Sequence, residues 1–439
     1  MNRLGKHKIA WIAAALSILL SSCGIPQAGA DSIADIKAQS IQSGIKRISA
    51  NAAVYPTYTM LDTITVEYSD EIVLPDSDPK TLYTFTDDEA GGKTREITAV
   101  YMNNQREINK GENQSSGRFV IIQLSRVENP EPDESEPWQP ESTAGMALHF
   151  QSSSYLHTLR TDYSGVKIRQ NFDALNARGQ TVQPSCTLPV LRSENVGWPE
   201  FQGFSINNVL QGKDGDVHYS VFIPEDYNHE KRYPMILVLP GYNGLLHSLK
   251  LETIGVNLFT DRSSLVWTEQ PDDMIVVSPQ LEDWGEKSAR QVIELTEYFL
   301  ETYSVDTTRV YAMGYSAGGE TMSRVLNVRS DLYSAYLHCS SKWNGDFSNV
   351  IENRLPIYFF IAGNDEYYGS EQTLKSYTDL RNGYADRGLT ENEIEQLAVI
   401  NMPDNLYFNR QGIYNYHVGG QYAVNDRTIV RWLLSQHKQ

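Results

Sequence analysis

Arg309-Val310-Tyr311-Ala312-Met313-Gly314-Tyr315-Ser316-Ala317-Gly318-Gly319 is the stretch that decides the fold. Its first five residues read as a buried strand. A glycine-rich turn follows at once, and the residues after it continue as a helix. A serine on so sharp a strand-to-helix turn takes a strained backbone, and the positions on both sides favour glycine. The hydroxyl of Ser316 then stands above the sheet at a helix N-terminus, where the helix dipole favours developing negative charge. This is the setting of a nucleophile.

Outward from the turn, apolar strands alternate with helices. Val217–Pro224, Met235–Leu239, Met274–Val277 and Ile357–Ile361 read as strands, and Lys287–Tyr303 as an amphipathic helix. Unbroken apolar strands interleaved with helices predict an α/β fold, a doubly wound and mostly parallel sheet covered on both faces, over residues 201–439.

A serine nucleophile needs a base, and in this fold the chain order is serine, acid, histidine. Three histidines follow Ser316: His338, His417 and His437. His338 lies in an apolar strand and reads as a core histidine, while His437 lies two residues from the C-terminus. His417, in a loop before the closing helix, remains as general base. The acid should hang from the end of a strand between the two. Ile357–Ile361 runs into Ala362-Gly363-Asn364-Asp365-Glu366, so Asp365 is expected to orient His417, with Glu366 as the fallback. The oxyanion needs two backbone N–H donors. Ala317 supplies one, and Tyr242, in the loop Pro240-Gly241-Tyr242-Asn243-Gly244, is expected to supply the other. Trp284, Tyr315 and Trp343, with Tyr242, are candidate walls of a substrate pocket, with core packing the competing role for each.

Before residue 200 the pattern differs. Thr63–Tyr68, Leu82–Phe85, Arg95–Tyr101 and Arg118–Ser125 read as short strands with no helix between them. They predict a β-sandwich over residues 55–200. Val127–Ser142, rich in proline and acid, reads as a long mobile loop. Residues 23–54, small and polar with a weak helical pattern at Ile33, Ile36, Ile41 and Ile45, read as a tether.

Residues 1–22 carry a basic start (Arg3, Lys6, Lys8) and an apolar run, Ile9–Leu20, too short to span a bilayer. Leu20-Ser21-Ser22-Cys23-Gly24 resembles the lipobox of bacterial lipoproteins. That resemblance implies lipidation of Cys23 and a membrane-anchored protein of the bacterial cell envelope, facing outside the cytoplasm. Cys186 and Cys339 have no CxxC spacing, and both a disulfide and two buried thiols stay open. With 37 basic and 55 acidic residues the formal charge is −18, which argues against a nucleic-acid partner. No residue pattern suggests a metal cluster, a P-loop or a dinucleotide fingerprint, so no cofactor and no metal are expected.

From about Val217 onward the chain resembles the α/β-hydrolase superfamily, most nearly the branch of polyhydroxybutyrate depolymerase-like and feruloyl-type esterases. The resemblance rests on Asp306–Gly319, Ser278-Pro279-Gln280, Gly363-Asn364-Asp365 and a late histidine before a tryptophan-containing helix. Many relatives carry His-Gly where this chain has Pro240-Gly241, a change that touches loop geometry rather than the backbone donor. Tyr55–Asn195 resembles the immunoglobulin-like N-terminal domain of two-domain bacterial esterases, on Ile97–Tyr101 and Phe119–Ser125. In that architecture the small domain packs near the catalytic mouth. The expectation is a serine carboxylesterase that forms an acyl-enzyme on Ser316 from an ester whose identity the sequence leaves open, as it does the oligomeric state. The alternatives are a prolyl-oligopeptidase-like serine peptidase, a polymer depolymerase or feruloyl esterase, and, from another class, a non-catalytic surface binding lipoprotein.

Overall fold

The computed structural model describes residues 44–55, 59–87, 93–104, 114–126, 163–242 and 262–438. The lipobox, with Cys23, and the acidic stretch Val127–Ser142 lie outside the described residues. None of the described helices is long and apolar enough to cross a membrane.

The N-terminal part is a two-sheet sandwich of immunoglobulin-like type. One sheet runs in the order Val196–Gly197, Ile45–Val54, Thr59–Val73, Ser116–Leu124, Ile97–Asn103, with Ala174–Leu175 and Thr181–Gln183 attached. The second runs Cys186–Thr187, Val166–Gln170, Tyr83–Asp87, Lys93–Arg95. Alternate residues of the long strands (Ile64 and Val66; Val120 and Ile122) face a shared core that includes Phe85 and Ile168. Inside it the Tyr68 hydroxyl donates to Gln170 Oε1 and meets the Tyr83 hydroxyl at 2.8 Å, so these buried polar groups are paired.

The strand Ile45–Val54 corrects the tether expected to run to residue 54. Its buried positions are Ile45, Ile48, Ala50, Ala52 and Val54. The pairing register with the next strand shifts between Ile45 and Arg47, which breaks the alternation. Alanines at core positions and two register shifts, the second between Asn51 and Ala52, hide the two-residue period that marks a strand.

The C-terminal sheet has eight strands: β1 (Phe204–Gly212), β2 (Gly215–Phe222), β3 (Tyr233–Leu239), β4 (Ile275–Gln280), β5 (Val305–Tyr315), β6 (Ala335–Cys339), β7 (Ile357–Phe360) and β8 (Ala398–Asn401), in the order β1-β2-β4-β3-β5-β6-β7-β8. β1 and β2 are antiparallel, and the pairs from β4 to β8 are parallel. Met235, Leu237 and Leu239 face a core shared with helices α1 (Glu286–Thr302), α2 (Ala317–Arg329) and α3 (Ser370–Asp386). Ile236 and Val238, one residue out of step, face the opposite core with α4 (Arg427–Leu434) and the fully buried Trp267. This second core also takes in Val54, Phe201 and Phe204, so the end of the sandwich is built into the face of the C-terminal sheet. Glu200 ties the junction, accepting the Val54 N–H at 2.7 Å and pairing with Arg262 at 2.8 Å.

Candidate active site

β5 lies at the centre of the sheet, and the chain leaves it at Ser316 with φ 51° and ψ −119°, a left-handed conformation that L-residues rarely adopt. Surrounding contacts hold this strain in place. The Ser316 N–H donates to Cys339 O at 3.1 Å, while Ser316 O accepts from Gly319 N, from Glu320 N and, at 2.7 Å, from the Ser341 hydroxyl. A Cβ on Gly318 would sit 2.4 Å from Leu239 O, and one on Gly319 would sit 2.5 Å from Ser341 Oγ. The glycines after the serine are therefore required by close approach: the first lets α2 start against β3, and the second lets Ser341 reach the elbow.

Ser316, Asp365 and His417 lie together. His417 Nε2 is 3.0 Å from Ser316 Oγ, and His417 Nδ1 is 2.9 Å from Asp365 Oδ2. All three side chains are buried. With Nδ1–H donating to the carboxylate, Nε2 is free to accept the serine proton. The other oxygen of Asp365 accepts the N–H groups of Tyr367 and Tyr368 at 2.9 and 2.8 Å. Burial pushes the Asp365 carboxyl up, but the His417 ring and these N–H bonds outweigh it, and the carboxyl sits below its ordinary range.

Glu366, the fallback acid, does something else. Its two oxygens accept the consecutive N–H groups of Tyr416 and His417 at 2.9 and 2.8 Å, and burial, which its N–H bonds only partly offset, raises its pKa. One dipeptide at the end of β7 therefore grips residue 417 twice, Asp365 by the ring and Glu366 by the backbone.

Ala317 is the first residue of α2, so its N–H is among those an α-helix leaves without an intrahelical partner. A Cβ on Gly241 would lie 3.4 Å from Ser316 Cβ, which brings the chain at Gly241–Tyr242 alongside the nucleophile position. Asn243 and Gly244 lie outside the described residues. The half-exposed Tyr242 ring meets Trp284 edge-on at 5.8 Å. Tyr315 is buried under the site, its ring 5.4 Å from that of His417. Trp343 goes elsewhere: it stacks on Phe347 at 4.4 Å and packs against His338 and Tyr336, so its indole serves the core.

His338 is a satisfied core histidine. Nδ1 is 2.9 Å from the Tyr336 hydroxyl and Nε2 is 3.0 Å from Ser341 O. A carbonyl only accepts, so Nε2 carries the hydrogen and Nδ1 receives the Tyr336 proton. Burial pushes its pKa down to about 4. Cys186 and Cys339 are not joined in a disulfide. Among the described residues no group of acidic, histidine and cysteine side chains is placed to hold a metal.

Residues 48–184 match the family described as the esterase Ig-like N-terminal domain, and residues 280–349, which span the Ser316 elbow, match the prolyl oligopeptidase family. A crystal structure of a thermostable esterase superposes with a TM-score of 0.66 at 18% identity, covering 89% of this chain and 100% of that one. The chain has the α/β-hydrolase fold, preceded by an immunoglobulin-like domain. A bifunctional acetylxylan esterase/xylanase of Neocallimastix patriciarum is 25% identical to the hydrolase over 207 residues. That stretch is 42% of this chain and 28% of the relative, so the hydrolase matches little more than a quarter of that protein's length.

Residue types around the Ser316 turn pointed to the serine, and elimination to the histidine. Glu320, Ser341, Glu366 and Tyr368 carry no such signal. Each acts through a contact between segments far apart in the chain, and only the position of Glu366 next to Asp365 hinted at the site.

Proposed function

We propose that this hydrolase is a serine carboxylesterase. The observation that carries the reading is the hydrogen-bonded chain Asp365–His417–Ser316 at a strained strand-to-helix turn. Ser316 Oγ attacks the ester carbonyl as its proton passes to His417 Nε2. The carbonyl π electrons move onto oxygen, and the N–H groups of Ala317 and Tyr242 receive that oxyanion. Collapse expels the alcohol, which takes the proton from His417 and leaves an acyl group on Ser316. Water then attacks with His417 again as base, releasing the carboxylic acid and restoring the serine. Asp365 stays ionised throughout and stabilises the imidazolium. The chemistry needs no cofactor.

The match of the first domain to the esterase Ig-like family supports an ester over a peptide substrate. A second reading, a serine peptidase, draws on the match of residues 280–349 to the prolyl oligopeptidase family, and the same three side chains would serve it. Hydrolysis of p-nitrophenyl esters of short, medium and aromatic acids by residues 24–439, beside Ser316→Ala, tests the choice. Turnover lost in the variant supports the esterase. Cleavage of peptides with no ester turnover overturns it. The acyl-chain profile would separate a short-chain esterase from a feruloyl-type or polymer-directed one.

The lipobox-like Leu20–Gly24 supports a lipid anchor on the outer side of a bacterial membrane, with acyl chains on Cys23 whose buried CH₂ groups would contribute about 0.8 kcal/mol each. Cys23→Ser should release it from the membrane fraction. Retention would refute the anchor.

A further inference from the structure

Two side chains beside the triad have no part in the scheme above. Glu320, on the first turn of α2, is a carboxylate with 5% exposure. Groups from α2 itself, from the loop after β6 and from the turn after Asp365 surround it. Its Oε1 accepts the Tyr368 hydroxyl at 2.7 Å and its Oε2 accepts the Asn344 amide at 3.0 Å. Arg324 and Lys342 stand at 3.7 and 3.6 Å, so the buried charge is compensated. These contacts complete a ring of hydrogen bonds that begins and ends at Ser316. The Glu320 N–H donates to Ser316 O at 3.1 Å, the Tyr368 hydroxyl donates to the Glu320 carboxylate, and the Tyr368 N–H donates to Asp365 Oδ1 at 2.8 Å. Asp365 Oδ2 and His417 then lead back to Ser316 Oγ. Inside the ring the Tyr368 side chain packs edge-on against His417, centroid to centroid 5.5 Å.

We propose that Glu320 and Tyr368 are positioning residues that close the triad into this ring and fix Asp365 and His417 relative to Ser316. This rests on Ser316 being the nucleophile. The serine leaves β5 and the acid leaves β7, and β6 stands between these strands, so no ladder bond joins them. The turn after Asp365 is held within itself by the N–H groups of Tyr367 and Tyr368 on one carboxylate oxygen, which fixes its shape and not its place. The Tyr368 hydroxyl supplies the place. Glu320 lies one helical turn from Ser316 and is bonded to its carbonyl, so the carboxylate belongs to the same rigid element as the nucleophile. A hydrogen bond to a carboxylate is roughly twice as strong as one between neutral groups, which suits it to dock a loop. Burial, with the Glu320 charge beside it, holds the phenol far above its ordinary pKa, so Tyr368 stays the donor. Neither side chain exchanges a proton in the reaction: Tyr368 carries the position of the elbow to the acid by its N–H and to the imidazole by its ring.

The test measures ester turnover, the second-order rate of fluorophosphonate labelling of Ser316 and thermal stability in Tyr368→Phe, Glu320→Gln, Glu320→Ala and the double variant Tyr368→Phe/Glu320→Ala. Tyr368→Phe keeps the ring and the N–H on Asp365 and removes only the bond to Glu320. It should lower kcat and the labelling rate by about tenfold, the effect of one hydrogen bond to a charged acceptor, with KM within about twofold. Glu320→Gln, which still offers an oxygen to the phenol, should keep most of the rate. Glu320→Ala should resemble Tyr368→Phe, and the double variant should be no slower than Glu320→Ala, because both changes open the same bond. Labelling at the unmodified rate in Tyr368→Phe, with only a lowered melting temperature, would make the contact structural and overturn the proposal. A raised KM with unchanged kcat would also overturn it, as would additive losses in the double variant. If Tyr368→Phe does not fold, the two Glu320 variants decide: equal rates in Gln and Ala overturn the proposal. Failure of the unaltered protein to be labelled at all would instead overturn Ser316 as nucleophile, and the proposal with it.

Discussion

The twofold grip on residue 417 makes Glu366→Gln a demanding test of how the site is assembled. The glutamate carboxylate accepts two buried N–H groups at 2.9 and 2.8 Å. Hydrogen bonds from neutral donors to a charged acceptor contribute about 1.5–3 kcal/mol each. Glutamine has the same shape but offers one carbonyl oxygen, so one bond survives and the new NH₂ confronts the other N–H. Part of that loss is offset, because burial disfavours the Glu366 charge and the neutral amide relieves it. The net penalty on the placed His417 loop should be about 1–2 kcal/mol, a factor of roughly 5–30 in its population. If a displaced loop cannot deprotonate Ser316, kcat/KM for a p-nitrophenyl ester falls by that factor. The loss should appear in kcat and in the fluorophosphonate labelling rate, and much less in KM. Local loosening of one loop should lower the melting temperature of so large a protein by only a few degrees. A kcat/KM within twofold of the unaltered protein would refute the reasoning. So would a rate loss fully explained by a smaller folded fraction.

Further outcomes follow from the same contacts. Asp365→Asn replaces the acceptor of His417 Nδ1–H by an amide that favours the wrong tautomer, and kcat should fall by roughly 10³–10⁴ in steady-state assays with near-normal circular dichroism. Gly319→Ala puts a Cβ 2.5 Å from Ser341 Oγ and should break the bond that pins the elbow carbonyl, lowering labelling of Ser316. Unchanged labelling would show that the elbow holds without Ser341. His338 is neutral in the fold with its pKa pushed down to about 4, whereas an unfolded histidine takes up a proton near 6.5. The unfolded chain therefore binds more protons between those values, and stability should fall as pH drops through that window, by at most roughly 3 kcal/mol. Denaturant unfolding at pH 6.5 and 4.5, compared with His338→Gln, measures it; the same slope in both proteins would count against His338. Asp365, held below its ordinary range, contributes stability that is present above pH 3.8 and lost as pH falls through its folded value. Glu366 has the opposite sign, its share being lost as pH rises through its raised value.

What the sequence by itself determined is whatever local physics encodes. A strand, a glycine-rich turn and a helix around Ser316 are written in neighbouring residues, and buried strands between helices declare a parallel sheet. The order of residues along the chain left His417 as the base and put Asp365 at a strand end, and the structure sets both within hydrogen-bonding distance of their neighbours. Where alternation was masked, by alanines at core positions in Ile45–Val54 and shifts of register, the strand could not be read. Only the tertiary structure decided how the site is supported. Glu366 reaches 51 residues along the chain to His417 N, Tyr368 reaches 48 to Glu320, and Ser341 reaches 25 to Ser316 O. Likewise, Trp343 turns out to pack against His338 and Phe347, although its sequence neighbourhood suited a pocket wall equally well. A hydrogen bond depends on distance and angle in space, and these pairs become neighbours only once the parallel strands stand side by side with their C-terminal ends in one row.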